Sequence, residues 1–87
     1  MKQVSFKIIN NNKEIICDVI ATYHDNENNK DFIIYTDKTL TDNGKLKIYY
    51  SMYTFLNNNI KLIKIKNLED EKFCLKLIEE IIKENNI

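Results

Sequence analysis

Apolar and polar residues alternate along most of positions 4–66, a pattern typical of β-strands whose two faces meet different surroundings. Because successive side chains of a strand point to opposite faces, this period of two separates a core-facing set from a solvent-facing set. Runs of Asn and other polar residues interrupt the alternation and mark turns. The pattern predicts five strands, at residues about 4–9, 14–24, 31–37, 45–53 and 60–65.

After residue 66 the apolar residues recur at spacings of three and four, which is the period of an amphipathic helix. Asn67 is a favoured N-cap residue, and Asp70 stands where its carboxylate can return a hydrogen bond to the cap. The acidic residues of this first turn also suit the positive end of the helix dipole. We expect one helix at residues about 68–85, with an apolar stripe formed by Phe73, Cys74, Leu77, Ile78, Ile81 and Ile82.

The order of these elements predicts the fold class. Short polar connections make neighbouring strands antiparallel. The single glycine, Gly44, follows Asp42 and Asn43 and supplies the positive φ that a hairpin turn between the third and fourth strands needs. We therefore expect the 87 residues to form a single α+β domain, with one antiparallel sheet of about five strands and a C-terminal amphipathic helix packed on one face.

One face of the second strand consists of apolar and aromatic residues throughout, whereas the opposite face is mixed. Since a strand buries the face that is consistently apolar, this face is expected to look into the core. Its members are Ile15, Cys17, Val19, Ala21 and Tyr23.

The central hairpin carries large side chains on both faces, yet one helix can cover only one side of a sheet. Some aromatic surface should then remain open, and contiguous apolar surface usually marks a contact site. We therefore expect a protein partner or a homodimer on the helix-free face, without catalysis. The residues expected to take part are Tyr35, Lys47, Tyr49 and Tyr53.

Two alternatives compete with this interpretation. Strong twisting of the sheet would let it curl and bury both faces against itself. Separately, Lys47, Tyr49 and Tyr53 share one strand face and could stack single-stranded bases, making the protein a weak nucleic-acid binder. A net charge of zero and the absence of Arg argue against nucleic acid, because the Arg fork is the usual reader of phosphate and guanine.

The composition favours a cytoplasmic protein that does not enter a membrane. No uncharged apolar run approaches the length of a membrane span, and the N-terminal stretch lacks the apolar core of a signal peptide. Cys17 and Cys74 are far apart in the sequence, and with a single His they form no zinc motif, so we expect buried free thiols.

The sequence offers no constellation that demands a chemistry, so we expect no enzyme, no cofactor and no metal. His24 stands at a strand end, and Ser5 and Ser51 lie apart from it in sequence. The acidic residues around Gly44 do not match the spacing of a calcium loop and are better explained as turn-forming residues.

Several strings in the chain resemble the small bacterial YrzB-like family, a domain of unknown function. They are Ala21-Thr22-Tyr23, residues 31–37, Asp42-Asn43-Gly44, and residues 48–53, 61–65 and 69–73. The resemblance covers residues about 14–82 and implies a bacterial cytoplasmic protein, without an activity or catalytic residues. The sequence departs from the family pattern at Met52, Lys64 and Phe73, where the family has arginine, proline and tryptophan.

Overall fold

The computed structural model describes residues 4–10, 12–57 and 59–85. It contains one antiparallel sheet of five strands, in which each strand pairs with the next one along the chain, followed by a single helix. The predicted fold class is thereby confirmed. The elements are β1 (Ser5–Asn10), β2 (Lys13–Asp25), β3 (Lys30–Thr36), β4 (Tyr49–Leu56), β5 (Asn59–Ile63) and α1 (Leu68–Asn85).

The sheet curls until it is nearly barrel-shaped, and β1 and β5, its two edges, approach each other. Its concave side encloses an apolar layer, because the curl brings side chains from both ends of the sheet together. The buried members are Phe6, Cys17, Ile33 and Tyr35, with Ile8, Ile15, Val19, Tyr53, Ile60 and Leu62 packed against them. The curled alternative is therefore the one that the structure shows.

Helix α1 covers the opposite, convex side over β3 and β4. Phe73 packs its ring against Tyr23 and Phe32, with centroid distances of 4.9 and 5.4 Å. Phe32 and Ile34 are almost completely buried beneath the helix, and Cys74 is fully buried on the helix side of this layer. Strand β3 thus contributes to two apolar layers, which explains why both of its faces are apolar.

The helix begins as its first turn predicts. The Asn67 side-chain oxygen accepts a hydrogen bond of 2.8 Å from the backbone N–H of Asp70, so Asn67 is the N-cap. Its amide nitrogen donates in return to the Asp70 carboxylate at 2.8 Å. The Lys30 ammonium also contacts that carboxylate at 2.8 Å, and both side chains are largely shielded from solvent. This ion pair fixes the start of the helix to the start of β3.

A β-bulge in β2 overturns the expectation that Ala21 and Tyr23 share a face with the earlier apolar residues of that strand. Val19 pairs with Tyr35 on the concave side, but the next pair in register is Ala21 with Ile34 on the convex side. The extra residue between them reverses the alternation. Ile15, Cys17 and Val19 therefore face the concave layer, whereas Ala21 and Tyr23 face the helix.

The connection between β3 and β4 is longer than predicted, because β4 begins at Tyr49 and not at residue 45. Leu40 and Leu46 form an isolated bridge, and Gly44, with φ of 77°, donates its N–H to the Thr41 carbonyl at 2.9 Å. The predicted turn therefore exists, but it closes a small separate hairpin. Strand β4 continues to Leu56, and β5 ends two residues earlier than predicted.

Candidate interaction surface

Tyr35, one of the expected surface anchors, belongs to the core. Its side chain is only 9% exposed. Its ring meets Phe6 edge-on, with centroids 5.4 Å apart, and stacks on Tyr49 at 5.6 Å. The expectation that this ring lies open is wrong, because the curl of the sheet brings β1 over it.

Tyr49 lies at the rim of the concave layer and is 36% exposed. Besides stacking on Tyr35, it donates its hydroxyl to the Asp37 carboxylate at 3.1 Å. The other Asp37 oxygen accepts hydrogen bonds from the backbone N–H and the hydroxyl of Thr39, at 3.0 and 2.6 Å. These bonds, the Thr39 hydroxyl above all, hold the pKa of Asp37 below its usual value, while burial and the Asp37 carboxylate raise the pKa of Tyr49. Both side chains are therefore committed to the fold.

Lys47 lies apart from the Tyr35–Tyr49 pair, and Tyr53 packs against the same apolar layer as Tyr35 without forming an exposed patch with Tyr49. Lys47 precedes β4, and its carbonyl accepts a 2.6 Å hydrogen bond from the Thr36 hydroxyl. Its side chain is exposed. Tyr53 is half-buried and lies four residues along β4 from Tyr49, about 13 Å at the rise of a strand. The structure therefore separates the expected anchors.

The opening in the molecule lies instead between β1 and β5, and we call this gap the seam. It forms a groove of about 460 Å³ lined by Lys7, Ile8, Ile9, Ile60 and Leu62. Among the described residues, no backbone hydrogen bond joins β1 to β5, so both edges remain unpaired there. The seam exposes part of the concave apolar layer at the point where the curl is incomplete.

Apolar side chains in and beside the groove are strongly exposed. Ile9 is 76% exposed. Phe55 lies directly opposite Ile60 in the β4–β5 register and is 67% exposed. Its ring meets the Tyr53 ring edge-on, with the ring centroids 5.7 Å apart. The sequence signal for this surface was two adjacent apolar pairs, Ile8-Ile9 and Phe55-Leu56, which necessarily put one apolar group on each face. The approach of β1 to β5, which places Ile8 and Ile9 in the same groove as Ile60, has no local signature.

Each edge strand carries a lysine in its middle on the convex side. Lys7 alternates with the inward-facing Ile8, and Lys61 alternates with the inward-facing Ile60 and Leu62. The Lys7 ammonium is 3.6 Å from the Glu14 carboxylate, but both side chains are about two-thirds exposed, so this pair is weak. Within the part of the chain that the structure describes, Lys61 makes no ion pair. With two lysines and the one neighbouring Glu14 carboxylate, the outer rim of the seam carries a small net positive charge.

The polar groups that could serve catalysis are engaged otherwise. His24 pairs with Asp31, opposite it in the β2–β3 register, through a 2.6 Å contact between Nδ1 and Oδ1. Ser5 donates its hydroxyl to Asp18 at 2.8 Å, and Ser51 donates to the Ile63 carbonyl at 2.9 Å. No serine hydroxyl is thus bonded to the histidine, as an activated nucleophile requires. In the segments that the structure describes, no three His, Cys, Asp or Glu side chains lie together where they could hold a metal ion.

Both cysteines are free and completely buried, as predicted. Burial raises the pKa of Cys17, with the Asp37 and Asp18 carboxylates adding to the effect. Burial also raises the pKa of Cys74, to about 11. Because the thiolate is the reactive form, neither thiol is a nucleophile near neutral pH.

No family model matches the chain, and no curated protein and no solved structure matches it either. Helix α1 carries nine charged side chains, and no helix in the described ranges is both long enough and apolar enough to cross a membrane. The geometry of the surface is therefore the basis for assigning a role.

Proposed function

We propose that this protein is a non-catalytic protein-interaction module that binds a partner through the open end of the helix-free, concave side of its sheet. The observation that carries the proposal is the seam, where apolar side chains of the concave layer reach solvent between two unpaired strand edges. The proposed binding side of the sheet is the one expected from the sequence. The contact residues differ, because they are those of the seam and no longer include Tyr35.

Contiguity distinguishes the seam from ordinary surface apolar residues. Single exposed apolar side chains are normal and need no explanation, whereas a continuous patch usually marks a contact site. Four apolar residues, Ile8, Ile9, Ile60 and Leu62, line one groove, and Phe55, 67% exposed, pairs in register with Ile60. Unpaired strand edges add backbone donors and acceptors to the same place. A partner would satisfy both kinds of group at once.

The competing role, binding of single-stranded nucleic acid, receives less support. Base stacking requires an aromatic ring with a free face. One face of Tyr49 already stacks on Tyr35, and Tyr53 packs into the concave layer. Lys47 lies outside the strand that carries these rings. The arrangement of basic and aromatic groups that motivated this role is thus used by the fold.

We also infer a cytoplasmic location and a relationship to the YrzB-like bacterial family. Two buried free thiols are compatible with a reducing compartment. The strings that carry the family resemblance include Gly44 and its two preceding residues, which form a turn, and the Asn67-capped helix start lies next to another of them. A family assignment based on more sequences would test this relationship directly.

Photo-crosslinking tests the interaction role. A benzophenone amino acid replaces Phe55 in the full chain, and the matched control replaces Leu75, an exposed apolar residue on the outer side of α1. After irradiation in a lysate of the source organism, the proposal expects a discrete adduct from position 55 and none from position 75.

Sedimentation of the purified protein then distinguishes a second copy from a different partner. A monomer–dimer equilibrium weakened by Phe55→Ser and unchanged by Leu75→Ser would identify a homodimer as the partner. A strict monomer that also gives no adduct at position 55 contradicts the proposal.

A further inference from the structure

We propose that the seam accepts an extended segment of a different protein, inserted as a sixth strand antiparallel to both β1 and β5 and carrying alternating apolar and acidic residues. This inference rests on the proposed interaction role and specifies its ligand. It depends on three features of the described residues: the direction of the edge strands, the apolar groove between them, and the charge of its rim.

Strand direction sets the orientation of the segment. Each strand is antiparallel to the next, so β1 and β5, separated by four such steps, run in the same direction. Direct closure would therefore require a parallel pair at one position of an otherwise antiparallel sheet. One additional strand, antiparallel to both edges, completes an all-antiparallel barrel with an even number of strands.

Spacing sets how far the seam must open. Paired strands lie about 4.8 Å apart, so a strand between β1 and β5 needs these edges about 9.6 Å apart. At their closest, the Cα atoms of β1 and β5 lie within 8 Å. Insertion therefore widens this end of the seam by at least about 2 Å. Without β1–β5 hydrogen bonds in the described residues, this widening breaks no backbone ladder.

Side-chain chemistry sets the sequence pattern of the segment. Residues that point inward would meet Ile8, Ile60 and Leu62, so they must be apolar. Residues that point outward would lie between Lys7 and Lys61, so Glu or Asp complements them. Because side chains alternate along a strand, both requirements fall on one segment with a period of two.

The same lysines argue against a second copy of this chain as the inserted strand. The central outward-facing residue is Lys7 in β1 and Lys61 in β5. Pairing with either edge of a second copy in a register that aligns the strand centres would place ammonium groups side by side, which is unfavourable. Lysines on edge strands are a common protection against such self-association. The rim therefore selects an acidic partner.

A synthetic peptide tests the pattern. The probe is a capped peptide of about seven residues that alternates Ile and Glu, a usual strand length. One control has the same composition with the four acids grouped together, and a second replaces Glu by Lys. We expect the alternating acidic peptide to slow hydrogen exchange of the backbone amides on the unpaired edges of β1 and β5. NMR contacts should show that the peptide lies antiparallel to both strands. Neither control should do so.

A charge-reversal variant tests the rim. Lys61→Glu alters an exposed side chain, so the fold should persist, and Lys76→Glu on the exposed side of α1 is the matched control. The change at position 61 should weaken binding of the acidic peptide by about fivefold and improve binding of the Lys peptide. The change at position 76 should leave both affinities unaltered.

The outcomes separate this inference from the interaction role on which it rests. No binding of the alternating acidic peptide at about 1 mM, equal binding of the grouped peptide, or contacts with only one edge would overturn strand insertion. If an adduct still forms at Phe55, the interaction role stands with a different kind of ligand. If position 55 gives no adduct and the peptide does not bind, both proposals fail.

Discussion

Asp37 fixes the beginning of the β3–β4 connection. Directly after β3, its carboxylate accepts from the Thr39 backbone, the Thr39 hydroxyl and the Tyr49 hydroxyl. The next residue, Lys38, adopts a φ of 69°, a conformation that L-residues rarely take. These bonds compensate for that backbone cost and hold the Tyr49 ring against Tyr35. One carboxylate thus links a loop to the rim of the concave layer.

Asp37→Ala should destabilise the protein by about 0.5–1 kcal/mol at neutral pH, a small value because the side chain is only partly buried. The pKa of Asp37 lies below its ordinary value of 3.8, so its contribution is present above that value and is lost as pH falls through the lower, folded-state pKa. The difference in free energy of unfolding between wild type and variant should therefore shrink in acid. Urea titrations at several pH values measure it.

Asp42→Ala provides the control for this change. Asp42 is an exposed acidic residue of the same connection. Its replacement removes an equal charge, so the comparison isolates the hydrogen bonds of Asp37. The Asp37→Ala change in free energy of unfolding could instead stay constant down to about pH 2, or Asp42→Ala could cause the same change. Either result would contradict a stabilising role for the Asp37 hydrogen bonds.

Thiol reactivity is a second property set at single residues. Cys17 and Cys74 are fully buried, and the pKa of Cys74 is raised to about 11. We expect a thiol reagent at pH 8 to label neither cysteine in the native protein and both in denaturant, because the thiolate is scarce and inaccessible. Mass spectrometry of timed samples measures this. Rapid native labelling of either residue would show that its layer opens locally.

At the scale of the element, β2 serves both apolar layers. Before its bulge, Cys17 and Val19 face the concave side, and after it Ala21 and Tyr23 face the helix. The bulge also increases local twist, which suits a sheet that curls. A uniform strand would have left Tyr23 on the wrong side of the sheet to contact Phe73.

The contact between Phe73 and the sheet gives a prediction for α1. Phe73→Ala removes two ring contacts, to Tyr23 and Phe32, and should lower the free energy of unfolding by about 2 kcal/mol. Leu75→Ala, on the same helix but 46% exposed, should cost less than about 0.5 kcal/mol. Urea denaturation compares the two variants. Equal losses would show that the helix is not anchored by its aromatic contact.

The features that sequence predicts well here are those set by neighbouring residues. Asn67 caps the helix, and Gly44 takes the positive φ of a turn, because both depend on a few consecutive positions. The bulge after Val19 depends on the pairing of β2 with β3, and the alternation of apolar residues in β2 gives no sign of it. The late start of β4 likewise reflects pairing, since the connection forms its own bridge between Leu40 and Leu46.

The candidate site was harder to predict for the same reason. Sequence correctly indicates that one helix cannot cover both apolar faces of the hairpin. Whether the remaining face stays open depends on the distance between β1 and β5, which lie about 50 residues apart in the chain. That distance makes Tyr35 part of the core and leaves the groove between β1 and β5 as the exposed apolar surface. No local pattern encodes it.

At the scale of the whole molecule, one sheet supports two apolar layers, and β3 is the element common to both. All residues of 32–36 are buried, and both edges of β3 are hydrogen-bonded to neighbouring strands. Strand β5, in contrast, has one unpaired edge and only five residues. The molecule is therefore most strongly stabilised at its centre and least stabilised at the seam.

Native-state hydrogen exchange should reproduce this gradient. Amides of β3 should exchange only through global unfolding, so their protection should match the free energy of unfolding measured with urea. The backbone amides on the unpaired edges of β1 and β5 should exchange orders of magnitude faster, because water reaches them at the seam without disruption of either apolar layer. The amides of β1 that are hydrogen-bonded to β2, and those of β5 that are hydrogen-bonded to β4, serve as internal controls. Edge amides as slow as those of β3 would mean that β1 and β5 already close the barrel, leaving no place for a partner strand.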